Sequence, residues 1–263
     1  MRWVVVLVVS LVGIALGVVG LLLLRDDGPD ELLPDLRQAA PTDVHIVEDG
    51  DSYRLAFASV LANVGQGPVL IGAERPGRET PEMSVQQLVR RTDATSRARP
   101  VPAELRYVDS EPAGHWLLSS FAVVELRNAE SGDLVRRGES AGVCFRDDRK
   151  ADPEERSAEE PARPVWTDEC GVDQPGLLSI RQGLSPGFGV DSGRGGGERF
   201  VDVTNVAAGR YVLVNRTNTE RALEESNYEN NASSVLLQLH RAGALPSVRV
   251  LARCPGTAVC EAG

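Results

Sequence analysis

Arg54-Leu55-Ala56-Phe57-Ala58-Ser59-Val60-Leu61-Ala62-Asn63-Val64-Gly65-Gln66-Gly67-Pro68 is the segment in which the architecture is first legible. It opens as an apolar run preceded by Tyr53 and ends in an Asn-x-Gly-x-Gly-Pro turn, after which Val69-Leu70-Ile71 resumes the apolar character. Short apolar or alternating runs bounded by Gly, Pro and Asn read as half-buried strands. Asn and Gly suit the turn because they tolerate left-handed backbone and, for Asn, bond to nearby backbone groups.

The same pattern recurs outward in both directions. His45-Ile46-Val47, Phe121-Ala122-Val123-Val124-Glu125-Leu126, Phe200-Val201-Asp202-Val203, Tyr211-Val212-Leu213-Val214 and Ser234-Val235-Leu236-Leu237-Gln238-Leu239 are further strand candidates. Met83 to Arg90 fits a helical turn or a strand. Short strands divided by Gly, Pro and Asn turns imply an all-β sandwich with long loops. Lys150 to Ala162 is dense in charge and reads as a solvent-exposed loop, as does the glycine-rich Asp191 to Glu198. Those glycines are not followed by the strand-to-helix turn and Lys-Ser/Thr that a phosphate cradle needs.

With 263 residues, 42% hydrophobic and 25% charged, the chain suits one globular domain of about 200 residues beside a membrane segment. Its net charge of −10 argues against nucleic acid as a partner, because no basic stripe is present to displace counterions from phosphates. Trp3 to Leu24 is an unbroken run of apolar or small residues; at about 1.5 Å per residue it spans about 33 Å, enough for a bilayer core. No small-x-small cleavage site stands clear of the run, so residues 1–25 read as an uncleaved anchor, with secretion after signal cleavage as the alternative. Residues 26–34 read as a tether, 35–240 as the globular domain and 241–263 as a loosely packed tail.

Five blocks in order resemble the lysyl oxidase family, above all its bacterial members. They are the 54–68 segment, Gly142-Val143-Cys144-Phe145-Arg146-Asp147, Gln182-Gly183-Leu184-Ser185-Pro186-Gly187, Val201 to Leu213, and Glu225-Ser226-Asn227-Tyr228-Glu229-Asn230-Asn231. A sixth segment, Ala113-Gly114-His115-Trp116-Leu117, stands where the bacterial members read His-Gly-His-Trp-His, and Phe121 follows in register. The resemblance runs from roughly Leu32 to Leu239 and implies a lysyl-oxidase-like β-sandwich.

Family members oxidise peptidyl lysine with Cu(II) and a lysyl tyrosylquinone made from their own lysine and tyrosine. Counting from the family motifs, Ser140 stands at the lysine position and Ser192 at the tyrosine position. Of the alternating histidines, which would share one strand face, only His115 is retained; Ala113 and Leu117 replace the others. Cu(II) favours several imidazoles, and neither alanine nor leucine offers a donor. The resemblance therefore implies a degenerate member with no copper, no quinone and no catalytic residue. Such a domain would bind an envelope protein, peptide or wall polymer, with His115 and Trp116 lining the former pocket. The rival reading is a copper-dependent amine oxidase with an atypical site, drawing on Lys150, the one lysine, and on Tyr107 or Tyr211. A hydrolase reading is weaker, since Ser119 and Ser120 lack a nucleophile-elbow context.

Cys144 and Cys170 occupy positions resembling the disulfide of the bacterial members, and Cys254 and Cys260 suit a short closed loop. An even count without Cys-x-x-Cys fits two bridges in an oxidising compartment. The domain is thus expected outside the cytoplasmic membrane.

Overall fold

The computed structural model describes residues 29–109, 113–138, 141–152, 160–191, 199–242 and 245–261. The expected anchor, Trp3 to Leu24, and both quinone-precursor positions, Ser140 and Ser192, lie outside the described residues. Among the described residues no helix is long and apolar enough to cross a membrane.

All regular structure described is β. In chain order the strands are β1 (Glu31–Leu32), β2 (Leu36–Gln38), β3 (Thr42–Asp49), β4 (Ser52–Ala58), β5 (Val60–Asn63), β6 (Val69–Glu74), β7 (Glu82–Arg91), β8 (Ser96–Val108) and β9 (His115–Asn128). They continue as β10 (Leu134–Arg137), β11 (Ala141–Val143), β12 (Arg149–Lys150), β13 (Ser179–Leu184), β14 (Phe188–Asp191), β15 (Arg199–Asp202), β16 (Gly209–Thr217), β17 (Ala232–Ala242) and β18 (Leu245–Cys254). Met83 to Arg90 falls within β7 and is a strand.

One 11-stranded antiparallel sheet runs β13-β6-β7-β8-β9-β16-β17-β18, with β1 added to β7 and β10 and β11 added to β9. Two smaller sheets, β12-β14-β5-β2 and β15-β4-β3, pack against it. Leu36, Leu61, Phe188 and Val190 of the first close a core with Ile71, Met83, Leu105, Trp116, Leu118 and Leu184. Leu55, Phe57 and Val201 of the second close another with Val124, Leu126, Leu213, Val235 and Leu237. Each such side chain taken fully out of water contributes about 1.5–3 kcal/mol before the entropy of ordering is subtracted.

The opening segment joins the two small sheets. Its first half is β4, its second half is β5, and Ser59 stands between them. Ser59 is buried and accepts hydrogen bonds from Gln38 Nε2 and from Asn215 Nδ2 (3.1 Å), forming a polar seam between the two cores. Arg199 extends the seam by donating to Asn215 Oδ1 at 2.7 Å, and burial pulls its guanidinium down to about 10.

The turn that follows is built for close approach rather than for left-handed backbone. Asn63 is fully buried: its Oδ1 accepts from the amides of Asp35 and Gly65, and its Nδ2 donates to the carbonyls of Gly67 and Leu184. A Cβ on Gly65 would lie 2.4 Å from Asp35 N, and one on Gly67 would lie 1.8 Å from Leu32 O. Neither glycine has positive φ; they are small because the 32–35 segment crosses directly over them.

Two expected boundaries change. Residues 31 and 32, placed in the tether, pair with Arg91 and Arg90 of β7. Arg97 grips both carboxylate oxygens of Glu31 at 2.5 and 2.8 Å, and this hydrogen bonding, more than any other influence, brings that carboxyl down to about 2. Residues 241–263, expected as a loose tail, supply β18, which pairs with β17 from Ala242↔Leu245 to Ser234↔Cys254. The turn after it carries Cys260 onto Val212, Val214 and Leu236, covering apolar side chains that the sheet would otherwise expose.

Candidate functional site

Strand β9 carries the segment that distinguished the sequence, and its period of two sorts the residues onto opposite faces. Trp116 and Leu118 enter the first core, while His115 and Leu117 point to the outer face. There Cys144, Glu169 and Cys170 stand over the strand. Trp116 N donates to Cys170 O at 2.9 Å, Asp173 N donates to Gly114 O at 3.0 Å, and Gly114 N donates to the Asp173 carboxylate at 3.1 Å.

Two of the quoted motifs, residues 142–147 and 182–187, meet at this end of β9. Gln182 holds Phe145 and Trp116 together, accepting from Phe145 N at 3.2 Å and donating to Trp116 O at 2.7 Å. Asp147 receives the Ser185 amide and hydroxyl, each at 2.8 Å, and the amides of Val165 and Trp166. All of these bonds are structural. They fix the loops.

His115 is buried, and its Nδ1 lies 2.9 Å from Glu169 O, so Nδ1 carries the proton and donates to that carbonyl. A cavity of about 520 Å³ beside it is lined by Ala113, Arg146, Asp148, Trp166 and Glu169 among others. Leu117, the other replaced position, is 4% exposed and packs on the Cys144–Cys170 disulfide. Gly142 permits that packing, since a Cβ there would lie 2.5 Å from Leu117 Cβ. The three positions offer one imidazole, one methyl group and one isobutyl group wedged against sulfur. They do not fit copper.

Trp116 is not a pocket residue, contrary to expectation. It is fully buried on the core side, where its Nε1 donates to Gln174 O at 3.0 Å, Arg75 stacks on its ring at 4.7 Å and Tyr107 meets it edge-on at 5.6 Å. The alternation of β9 sends a residue next to His115 to the opposite face, and in a sandwich that face is core.

The other histidines stand apart, His45 on β3 and His240 on β17. Among the described residues no three His, Cys, Asp or Glu side chains form a metal-binding group. Lys150 pairs with Glu160 and lies over the Phe188 ring at 5.7 Å, whereas Tyr211 sits in the second core with its hydroxyl donating to Ala207 O. Ser119 donates to Glu104 O. Both cysteine pairs are bonded, Cys144 to Cys170 and Cys254 to Cys260, which suits an oxidising, extracytoplasmic environment.

Two carboxylates to which the sequence assigns no role stand toward the far end of β9. Glu125, with 6% side-chain exposure, is met by Arg127 at 2.8 Å, Arg137 at 3.1 Å and Arg216 at 3.8 Å. Burial pushes its carboxyl up, but the arginines outweigh burial and hold it below the ordinary carboxylate value. Glu225 accepts from Leu36 N at 2.8 Å, Asn218 Nδ2 at 2.5 Å and Asn231 Nδ2 at 2.6 Å, and burial raises it to about 7. Asn231 thus serves a carboxylate, and Asn230 serves another on Asp35 at 2.8 Å. The available signal for the first group was Glu125 and Arg127 two apart on a strand, which places them on one face.

No protein-family model matches the chain, and no curated protein matches it.

Proposed function

We propose that this chain is a membrane-anchored, extracytoplasmic lysyl-oxidase-like domain that has lost its redox centre and serves as a binding or structural module at the cell envelope. The observation that carries the reading is Leu117. It occupies a copper-ligand position of the resembled motif and is packed, at 4% exposure, against the Cys144–Cys170 bridge, so the place of a ligand is taken by apolar contact. Ala113 removes a second ligand, and His115 spends its Nδ1 proton on Glu169 O. The two disulfides support a location outside the cytoplasm, and the run from Trp3 to Leu24 supports the anchor.

The test is elemental analysis of the purified full-length chain after loading with Cu(II) and dialysis against a weak chelator, alongside an alkylamine assay for peroxide release. Metal-free, folded protein without peroxide release is expected. One retained copper per chain, or amine oxidation, would overturn the loss of the redox centre.

A further inference from the structure

The outer face toward the far end of β9 holds a second concavity, of about 480 Å³, which the His115 region does not reach. Its floor is Val123, Glu125 and Arg127 of β9 together with Arg216 and Thr217 of β16, and Arg137 and Arg221 stand at its walls. In a chain of net charge −10, this clustering of arginines runs against the overall balance.

The arginines are not equally committed. Arg127 is the most committed: its Nε and Nη2 face Glu125, and its Nη1 donates to Gly132 O at 3.1 Å. Arg137 gives Glu125 a single Nη2 contact. Arg216 comes no closer to that carboxylate than 3.8 Å, beyond hydrogen-bond reach. Glu125 therefore works as an internal counter-ion that gathers three guanidinium groups while neutralising one, and Arg137 and Arg216 retain donors for something else. Glu220 and Glu229 also line the cavity. They limit the local positive excess and disfavour a dianion or a polyanion.

We infer that this cavity is a binding site for a singly charged carboxylate, such as the free end of a peptide, received by Arg137 and Arg216 on a frame set by Glu125 and Arg127. The bidentate match of guanidinium to carboxylate supplies the recognition. Thr219 and Tyr228 provide neutral lining for the group that bears the carboxylate. This site is independent of the lysyl oxidase resemblance and stands or falls without it.

The experiment is calorimetric titration of the full-length chain with N-acetyl-L-alanine, with its amide as the neutral control and with inorganic phosphate. The carboxylate is expected to bind and the amide not to. Arg216→Ala and the more exposed Arg137→Ala are each expected to weaken binding about tenfold, and added salt should weaken it further. Circular dichroism of both variants should match the parent, so that a loss reports the site and not the fold. Failure of the carboxylate to bind, equal binding of acid and amide, or indifference to both substitutions would overturn the site. Phosphate binding as tightly as the carboxylate would overturn the assignment of ligand class.

Discussion

Two stretches of one strand, His115–Leu117 and Val123–Arg127, present the same outer face of the same sheet and have opposite fates. In the first, Leu117 is covered by the Cys144–Cys170 disulfide, and His115 beside it borders the cavity of about 520 Å³ while its Nδ1 is taken up by Glu169 O. The second is charged, with a buried carboxylate ringed by arginines under a cavity of about 480 Å³. The strand geometry is common to both. What differs is whether the side chains can satisfy one another without solvent; Leu117 can, against sulfur, and Arg216 cannot.

The largest expected difference between the two ends is in what crosslinks them. Cys144 and Cys170 are 26 residues apart in sequence, and losing that bridge by double substitution to alanine is expected to cost about 3.5 kcal/mol on loop-closure grounds. The Cys254–Cys260 bridge closes a separation of 6, and its loss is expected to cost about 2 kcal/mol. Urea unfolding of the two variants would check the ranking. Equal costs would mean that the covered end of β9 does not depend on its crosslink.

Next in size is a pH effect confined to the open end, where Asn218 and Asn231 both line the cavity and bond to Glu225. Folding raises this carboxyl from 4.5 to about 7, through burial first of all. The folded state then holds the proton more tightly, so the contribution of Glu225 to stability is full below pH 4.5 and is lost as pH rises toward 7. The span is at most about 3 kcal/mol. Glu225→Gln should flatten stability between pH 5 and pH 8, measured by urea unfolding at each pH; a slope identical to the parent would place the effect on another group.

At the covered end, Leu117→His is expected to cost about 2 kcal/mol, because an imidazole would replace apolar contact at a buried site beside the disulfide. Ala113→His, at the half-buried rim of the cavity beside His115, should stay within about 0.5 kcal/mol of the parent. Thermal unfolding would separate them. Similar costs would mean that the covering at Leu117 yields.

Much of this was readable in advance because strand signals are local. Alternation gave β4, β9, β16 and β17, and the position of His115, Ala113 and Leu117 on one face followed from the same period. The side of the sheet on which the core forms is not local information, so the motif alone points Trp116 toward the pocket, whereas it belongs to the core. The turn glycines were assigned to left-handed backbone, yet what constrains Gly65 and Gly67 is the passage of residues 32–35 overhead, a contact between distant segments. Glu125 and Arg127 share a face of one strand by the same period, but Arg137 and Arg216 reach them only through pairing of distant strands. Arg127, Arg137 and Arg216 come from three strands, and only the sheet register, Arg137↔Glu125 and Val214↔Glu125, brings them to one carboxylate.

That register makes the smallest effect the most discriminating. Glu125→Gln keeps the shape of the side chain and removes the charge that gathers the arginines. Because Arg137 is 62% and Arg216 36% exposed, solvent screens most of the repulsion then left among them, and the expected loss of stability is only about 1 kcal/mol. The contribution removed is one present above the ordinary carboxylate range and lost as pH falls through the lowered value of Glu125, so parent and variant should converge in acid. Carboxylate binding should respond differently. Without that counter-ion the cluster gains net positive charge and Arg137 loses its charged partner, and phosphate should improve relative to N-acetyl-L-alanine. A variant whose preference between the two is unchanged would show that Glu125 merely balances charge and does not set the geometry of the open end.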